Sequence, residues 1–143
     1  MHDRVGTDIV AVGRIAALMR DGGSRFLNRW FTSQEIDYCM LKAVPSRHLA
    51  ARFAAKEAIV KAMPVAWNGP LPWRSIEIVN DPGGAPTVKL SGTVQEIATR
   101  AGIGEIRVSL SHCDEYATAT AIVAVEADQA MAAKPSSRAG SGP

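Results

Sequence analysis

An α+β fold, with a mainly antiparallel sheet crossed by a long central helix, follows from three features of the chain. The elements read from the residues run strand, several helices, hairpin, helix, hairpin, an order that segregates helices from strands. The stretch 50–63 (A-A-R-F-A-A-K-E-A-I-V-K-A-M) is helical by composition and contains neither glycine nor proline. On a helical wheel, Leu49, Phe53, Val60 and Met63 form one stripe, and Ala51, Ala54, Ala55, Ala58 and Ala62 form the opposite one. A helix that is apolar almost all round is buried, and its alanine face lets a neighbouring backbone come close.

The chain has 143 residues, of which 47% are apolar and 21% charged. That is one domain with enough residues to bury a core. The domain is placed at 1–127. From Asp128 onward Ala, Lys, Pro, Ser and Gly dominate, so 128–143 is expected to be a disordered tail. A net charge of +2 is too small to imply nucleic-acid binding. The distribution is more informative: Arg14, Arg20, Arg25, Arg29, Lys42 and Arg47 face only Asp21, Glu35 and Asp37 over the same segment. Such a basic run suits either an acidic partner or a solvated helix face. Cys39 and Cys113 form no CxxC pattern, which indicates reduced thiols rather than zinc or a redox motif. The polar start M-H-D-R-V-G-T-D lacks a signal-peptide core, and no apolar run is long enough to span a bilayer. A cytoplasmic protein without membrane contact is expected.

Each element has its own signal. The β-branched run Val5–Val12 predicts a strand whose alternation places Asp8 on the face of Val10 and Val12. Gly13 leads into a short amphipathic helix, Arg14–Arg20, ended by Asp21-Gly22-Gly23. Ser24 caps a second, Arg25–Trp30. Thr32-Ser33-Gln34-Glu35 is a capping box that opens a third helix, running to about Leu41. Pro45-Ser46 opens the central helix, with Ser46 as its N-cap, and Pro64 stops it. Trp73–Val79 and Pro86–Leu90 make a hairpin turned by Asp81-Pro82-Gly83-Gly84. Ser91 caps a helix over Thr93–Ala101. Glu105–His112 and Tyr116–Glu126 are strands joined tightly through Cys113-Asp114-Glu115.

Three sets of residues carry candidate chemistry. Asp8 and Glu57 are carboxylates stranded in apolar elements, and a sheet-plus-helix core can bring them together. Close carboxylates repel, so one holds a proton or a cation lies between them. Oxygen ligands without His or Cys suit Mg²⁺, with phosphate oxygens and water completing its shell. Lys61, one turn beyond Glu57, either forms a helix-supporting pair with it or faces those phosphates and neutralises charge during phosphoryl transfer. His112 ends the inward series Ile106, Val108, Leu110 where the chain turns; it suits a structural imidazole, a phosphate donor or a proton shuttle. Adjacent strand residues point to opposite faces, which argues against Ser111 and His112 as a nucleophile pair.

V-G-T-D near the start, R-F-A-A-K-E-A-x-x-K-A in the middle and V-S-L-S-H near the end together resemble the holo-acyl-carrier-protein synthases, the small single-domain 4′-phosphopantetheinyl transferases. The resemblance covers roughly residues 4 to 126 and includes Arg14-Ile15 and Phe31-Thr32-x-x-Glu35. It implies transfer of phosphopantetheine from coenzyme A to a serine of apo acyl carrier protein, releasing adenosine 3′,5′-bisphosphate, in fatty-acid or polyketide synthesis. It also implies that Asp8 and Glu57 are the magnesium ligands and Lys61 the lysine near the phosphates. Arg52 and His112 fall where the family contacts coenzyme A phosphates. Arg14 matches the arginine that grips the acidic helix of the carrier; Arg20, Arg25 and Arg29 extend that patch on charge alone. The family implies a homotrimer with each site between two subunits, the basic helix of one serving the metal site of the next. The serine proton has two routes, to Glu57 directly or through a bound water.

The chain departs from the family pattern twice. Met63-Pro64-Val65-Ala66-Trp67-Asn68-Gly69-Pro70 replaces a glycine-rich turn, and Cys113 follows His112 where Thr, Ser or Asp is common. Two other functions use the same residues. One is a different Mg²⁺-dependent phosphoryl-transfer enzyme; the other is a non-catalytic module that binds coenzyme A or the carrier.

Overall fold

Residues 1–126 are described by a computed structural model; the expected tail at 128–143 lies outside them. The chain runs β1 (His2–Ala11), α1 (Val12–Trp30), α2 (Ser33–Met40), α3 (Pro45–Ala62), a 3₁₀ turn (Trp73–Ser75), β2 (Ile76–Asn80), β3 (Pro86–Leu90), α4 (Gly92–Arg100), β4 (Ile103–His112) and β5 (Tyr116–Val125). One antiparallel sheet has the order β1-β5-β4, and β2-β3 form a separate hairpin. The α+β class and the helix laid across the sheet are as expected.

The alanine face of α3 does what its composition predicts. Gly6 of β1 lies so close that a Cβ there would meet the Ala58 carbonyl oxygen at 2.0 Å. Only a glycine facing alanines permits that approach, and it sets β1 and α3 at the separation on which the site depends. Leu49, Ala50, Ala54, Ala55, Ala58 and Ile59 are fully buried. A second anchor is aromatic: Trp30 stacks on Phe53 (4.0 Å between centroids) and on Trp73 (4.2 Å), tying the end of α1 to α3 and to the 3₁₀ turn.

Several boundaries differ from those read in the sequence. β1 starts at His2, because its pairing with β5 continues to His2↔Val125, and Val12 already belongs to the helix. The two expected short helices are both present, abutting at a break at Gly23, whose φ of 53° and ψ of −137° no helix adopts; the first of them starts at Val12 rather than Arg14. The N-cap of α3 is Val44, not Ser46: Pro45 takes the first helical position, where its missing N–H costs nothing. Residues 73–75 are a 3₁₀ turn rather than strand, closed by Ser75 N donating to Pro72 O and held by the Trp73 stack. Ser91 stands at the α4 N-cap without a side-chain capping bond. The Cys113–Glu115 connection is tight, with Cys113 N donating to Tyr116 O.

Candidate active site

The α3 helix carries charge on two flanks, and β1 meets one of them. Asp8 shares the inner face of β1 with Gly6 and Val10, so the close approach at Gly6 delivers its carboxylate to α3. Glu57 of α3 is close enough for the two carboxyls to interact, and Lys61 Nζ donates to Asp8 Oδ1 at 2.9 Å and to Thr7 O at 3.1 Å. The Lys61 side chain is 55% exposed and that of Asp8 12%. Lys61 therefore pairs across to β1. Burial, then the hydrogen bond and charge of Asp8, hold the Glu57 carboxyl above its usual range, against the opposing pull of Lys61 and Arg14. Two oxygen ligands side by side, with too little positive charge between them, fit a hard divalent cation. No cluster of three or more His, Cys, Asp or Glu side chains occurs among the described residues, so the remaining ligands would come from substrate and water.

The other flank of α3 carries Arg52. Five residues separate it from Glu57, which turns the two side chains about 140° apart. Arg52 is buried, donates through Nη2 to Asn80 Oδ1, lies 4.6 Å over the Tyr38 ring and leaves its Nε without a partner. It lines a cavity of about 280 Å³ together with Tyr38, His48, Asn80, Ser109 and His112. The sheet keeps this cavity away from Asp8: Asp8 pairs with Ala119 of β5, Ala119 pairs with Leu110 of β4, and His112 lies two residues further along. Within one chain, then, Arg52 and His112 come together, Asp8, Glu57 and Lys61 come together, and α3 separates the two sets.

A third surface adjoins the carboxylates. Arg14, Arg25 and Arg29 line a groove of about 370 Å³ floored by Leu18, Phe26, Trp30 and Phe53. Arg14 also lies 5.6 Å from the Phe53 ring centre. Arg20 is not part of this groove; it is exposed and pairs with Asp21 at 3.3 Å.

Two features were missed in the sequence. Glu35 is more than half of a capping box: its Oε1 accepts from Thr32 N and from Lys56 Nζ (2.7 Å), and its Oε2 accepts from Ile78 N. Lys56 also donates to Trp73 O, and both side chains are fully buried. A lysine inside an alanine-rich buried helix was the available signal, since such a charge needs a buried partner. His48 is the second omission; it stands one helical turn before Arg52, a spacing that alone would have put both on one face.

The description "4′-phosphopantetheinyl transferase superfamily" belongs to a family profile that matches residues 4–121. This fold with carboxylates on β1 and α3 places the chain in that superfamily. Among curated relatives, the holo-[acyl-carrier-protein] synthase of Protochlamydia amoebophila is 42% identical over 118 residues, covering 82% of this chain and 94% of the relative. That of Moorella thermoacetica is 43% identical, covering 82% and 91%. The crystal structure of the Neisseria meningitidis enzyme superposes with a TM-score of 0.76 at 30% identity, over 85% of this chain and 97% of that one. The Helicobacter pylori enzyme in complex with coenzyme A gives 0.72 at 32%, over 84% and 99%. The chain belongs to the holo-[acyl-carrier-protein] synthase family.

Proposed function

We propose that the chain transfers 4′-phosphopantetheine from coenzyme A to a serine of apo acyl carrier protein and releases adenosine 3′,5′-bisphosphate. The observation that carries this reading is the Asp8–Glu57–Lys61 cluster, standing at the motif positions of the family and open to solvent through Lys61. Asp8 and Glu57 would hold Mg²⁺, which supplies neutralisation of charge on the coenzyme A pyrophosphate. Lys61 adds a mobile positive charge beside the same phosphates. The carrier serine oxygen bonds to the β-phosphorus as the bond to the bisphosphate leaving group breaks, and the serine proton passes to Glu57, directly or through a water. Arg14, Arg25 and Arg29 receive an acidic carrier helix, their charges binding its carboxylates and the apolar floor its side chains. Arg20 extends the positive field from outside the groove.

Arg52 and His112 bind coenzyme A phosphate, and they do so for a neighbouring subunit's carboxylates. Support for this homotrimeric arrangement is the separation of the two sets by α3, together with Val5 (62%), Ile9 (62%) and Tyr116 (48%) exposed on the uncovered sheet face. Fatty-acid synthesis and a cytoplasmic setting follow from the substrate; no helix among the described residues is long and apolar enough to cross a membrane. The test is the intact mass of an apo carrier after incubation with this protein, coenzyme A and Mg²⁺. A gain of one phosphopantetheine, lost on adding EDTA, is expected. Retained coenzyme A binding with no gain on any apo carrier would instead favour a binding module.

A further inference from the structure

The cavity beside Arg52 contains two imidazoles where the sequence motifs account for one. His48, on the first turns of α3, is partly buried, and its ring meets that of His112 at 4.9 Å between centroids and 67° between planes. Both line the same cavity with Arg52, Asn80, Tyr38 and Ser109. The charged groups around His48 come from every neighbouring element: Lys42 from the α2–α3 connection, Arg47 and Arg52 from α3 itself, His112 from β4. Tyr38 of α2 supplies a neutral ring. The nearby acid, Asp114 of the β4–β5 turn, is already paired with Arg47 at 2.7 Å. Thus both imidazoles look into a space that is rich in positive charge and, among the described residues, is lined by no carboxylate.

We propose that His48 is a further binding residue of this site, and that it takes up a proton when a phosphate-bearing ligand enters the cavity. This rests on the reading of coenzyme A as substrate. In the free protein, a proton on His48 would add charge to an already positive cavity; burial, then the neighbouring His112, Lys42, Arg52 and Arg47, hold His48 below its usual value. A phosphate dianion supplies the missing negative charge, reverses that balance and raises the imidazole's affinity for a proton. The sign of the linkage follows. Well above neutrality His48 is uncharged in both states and contributes nothing extra. As pH falls through the bound-state value, the complex gains a proton that the free protein lacks, so affinity rises. The gain levels off below the free-state value. Coenzyme A should therefore bind more tightly at the acidic end of the range about pH 6.5 to 8.

The experiment is calorimetric titration of the whole protein with coenzyme A at saturating Mg²⁺, in buffers of different ionisation enthalpy, for the wild type and His48→Gln. Because Asp8 and Glu57 are common to both, their protons cancel in the difference. The wild type should take up a fraction of a proton, up to about one, and His48→Gln measurably less, with a flatter dependence of Kd on pH. Equal uptake in the two proteins, both binding coenzyme A, overturns the role of His48 and leaves the transferase reading intact. Absence of coenzyme A binding by the wild type overturns both. The unmutated protein provides a second measurement: the NMR titration of the His48 ring should move to higher pH on adding coenzyme A, and an unmoved titration counts against the proposal.

Discussion

Lys56 and Glu57 are neighbours on α3, yet each belongs to a lysine–carboxylate group of opposite character. Lys56 meets Glu35 where both side chains are fully buried, and the carboxylate's remaining capacity is taken by Thr32 N and Ile78 N. Every strong donor and acceptor there has a partner, and the group ties α2, α3 and β2 together. On the other side, Glu57 faces a second carboxylate, and Lys61 reaches only one of the two while staying half in solvent. The first group is closed and balanced; the second has an excess of negative charge at an accessible place. A satisfied buried pair fixes geometry, whereas an unbalanced open one is available to a ligand.

The largest expected effect breaks the open group. Asp8→Ala or Glu57→Ala should reduce transfer by about a hundred- to a thousandfold, as removal of a charge-stabilising group does, with far-UV circular dichroism unchanged. Full activity in either variant would mean that the two carboxylates do not share one site. Breaking the closed group should act on stability: Lys56→Met leaves Glu35 buried and unpaired, costing about 3–5 kcal/mol in urea unfolding. The double variant Lys56→Met with Glu35→Leu should lose less than the sum of the single changes; strict additivity would show that the two side chains are uncoupled.

A smaller effect separates the groove from its surroundings. Arg25→Ala should raise KM for the carrier about three- to tenfold while KM for coenzyme A holds. Arg20→Ala, outside the groove and paired with Asp21, should do less; the reverse ranking would move the carrier's path. The smallest effect is on the pH dependence of stability without metal. Glu57 binds its proton more tightly folded than unfolded, so in EDTA its contribution to stability is fully present below its ordinary value of 4.5 and is lost as pH rises through the raised one. Glu57→Gln should flatten that fall, measured as Tm against pH; an unchanged slope would place the proton elsewhere.

The segments read most accurately were those whose signal is local. The capping box before α2 stands where the residues put it, and β4, β5 and the alanine-rich α3 differ only at their ends: β4 starts at Ile103 rather than Glu105, and β5 stops at Val125 rather than Glu126. Misreadings came where a distant contact competes with a local preference. Trp73 is β-prone, yet its stack on Trp30 and the preceding Pro72 hold it in a 3₁₀ turn. Lys61 is one turn from Glu57, yet it crosses to β1 because Asp8 lies there.

The sequence by itself determined the α+β class, the family and the identity of Asp8, Glu57, Lys61, Arg52 and His112 as candidate residues, because motif spacing and apolar periodicity are properties of neighbours along the chain. Tertiary packing alone reveals that Glu35 belongs to Lys56, that His48 joins His112, that Arg20 stands outside the groove, and that α3 divides Arg52 and His112 from the carboxylates. The first two join side chains far apart in the chain, 21 positions for Glu35 and Lys56 and more for His48 and His112. Burial and strand register, which no local spacing encodes, set which of them meet.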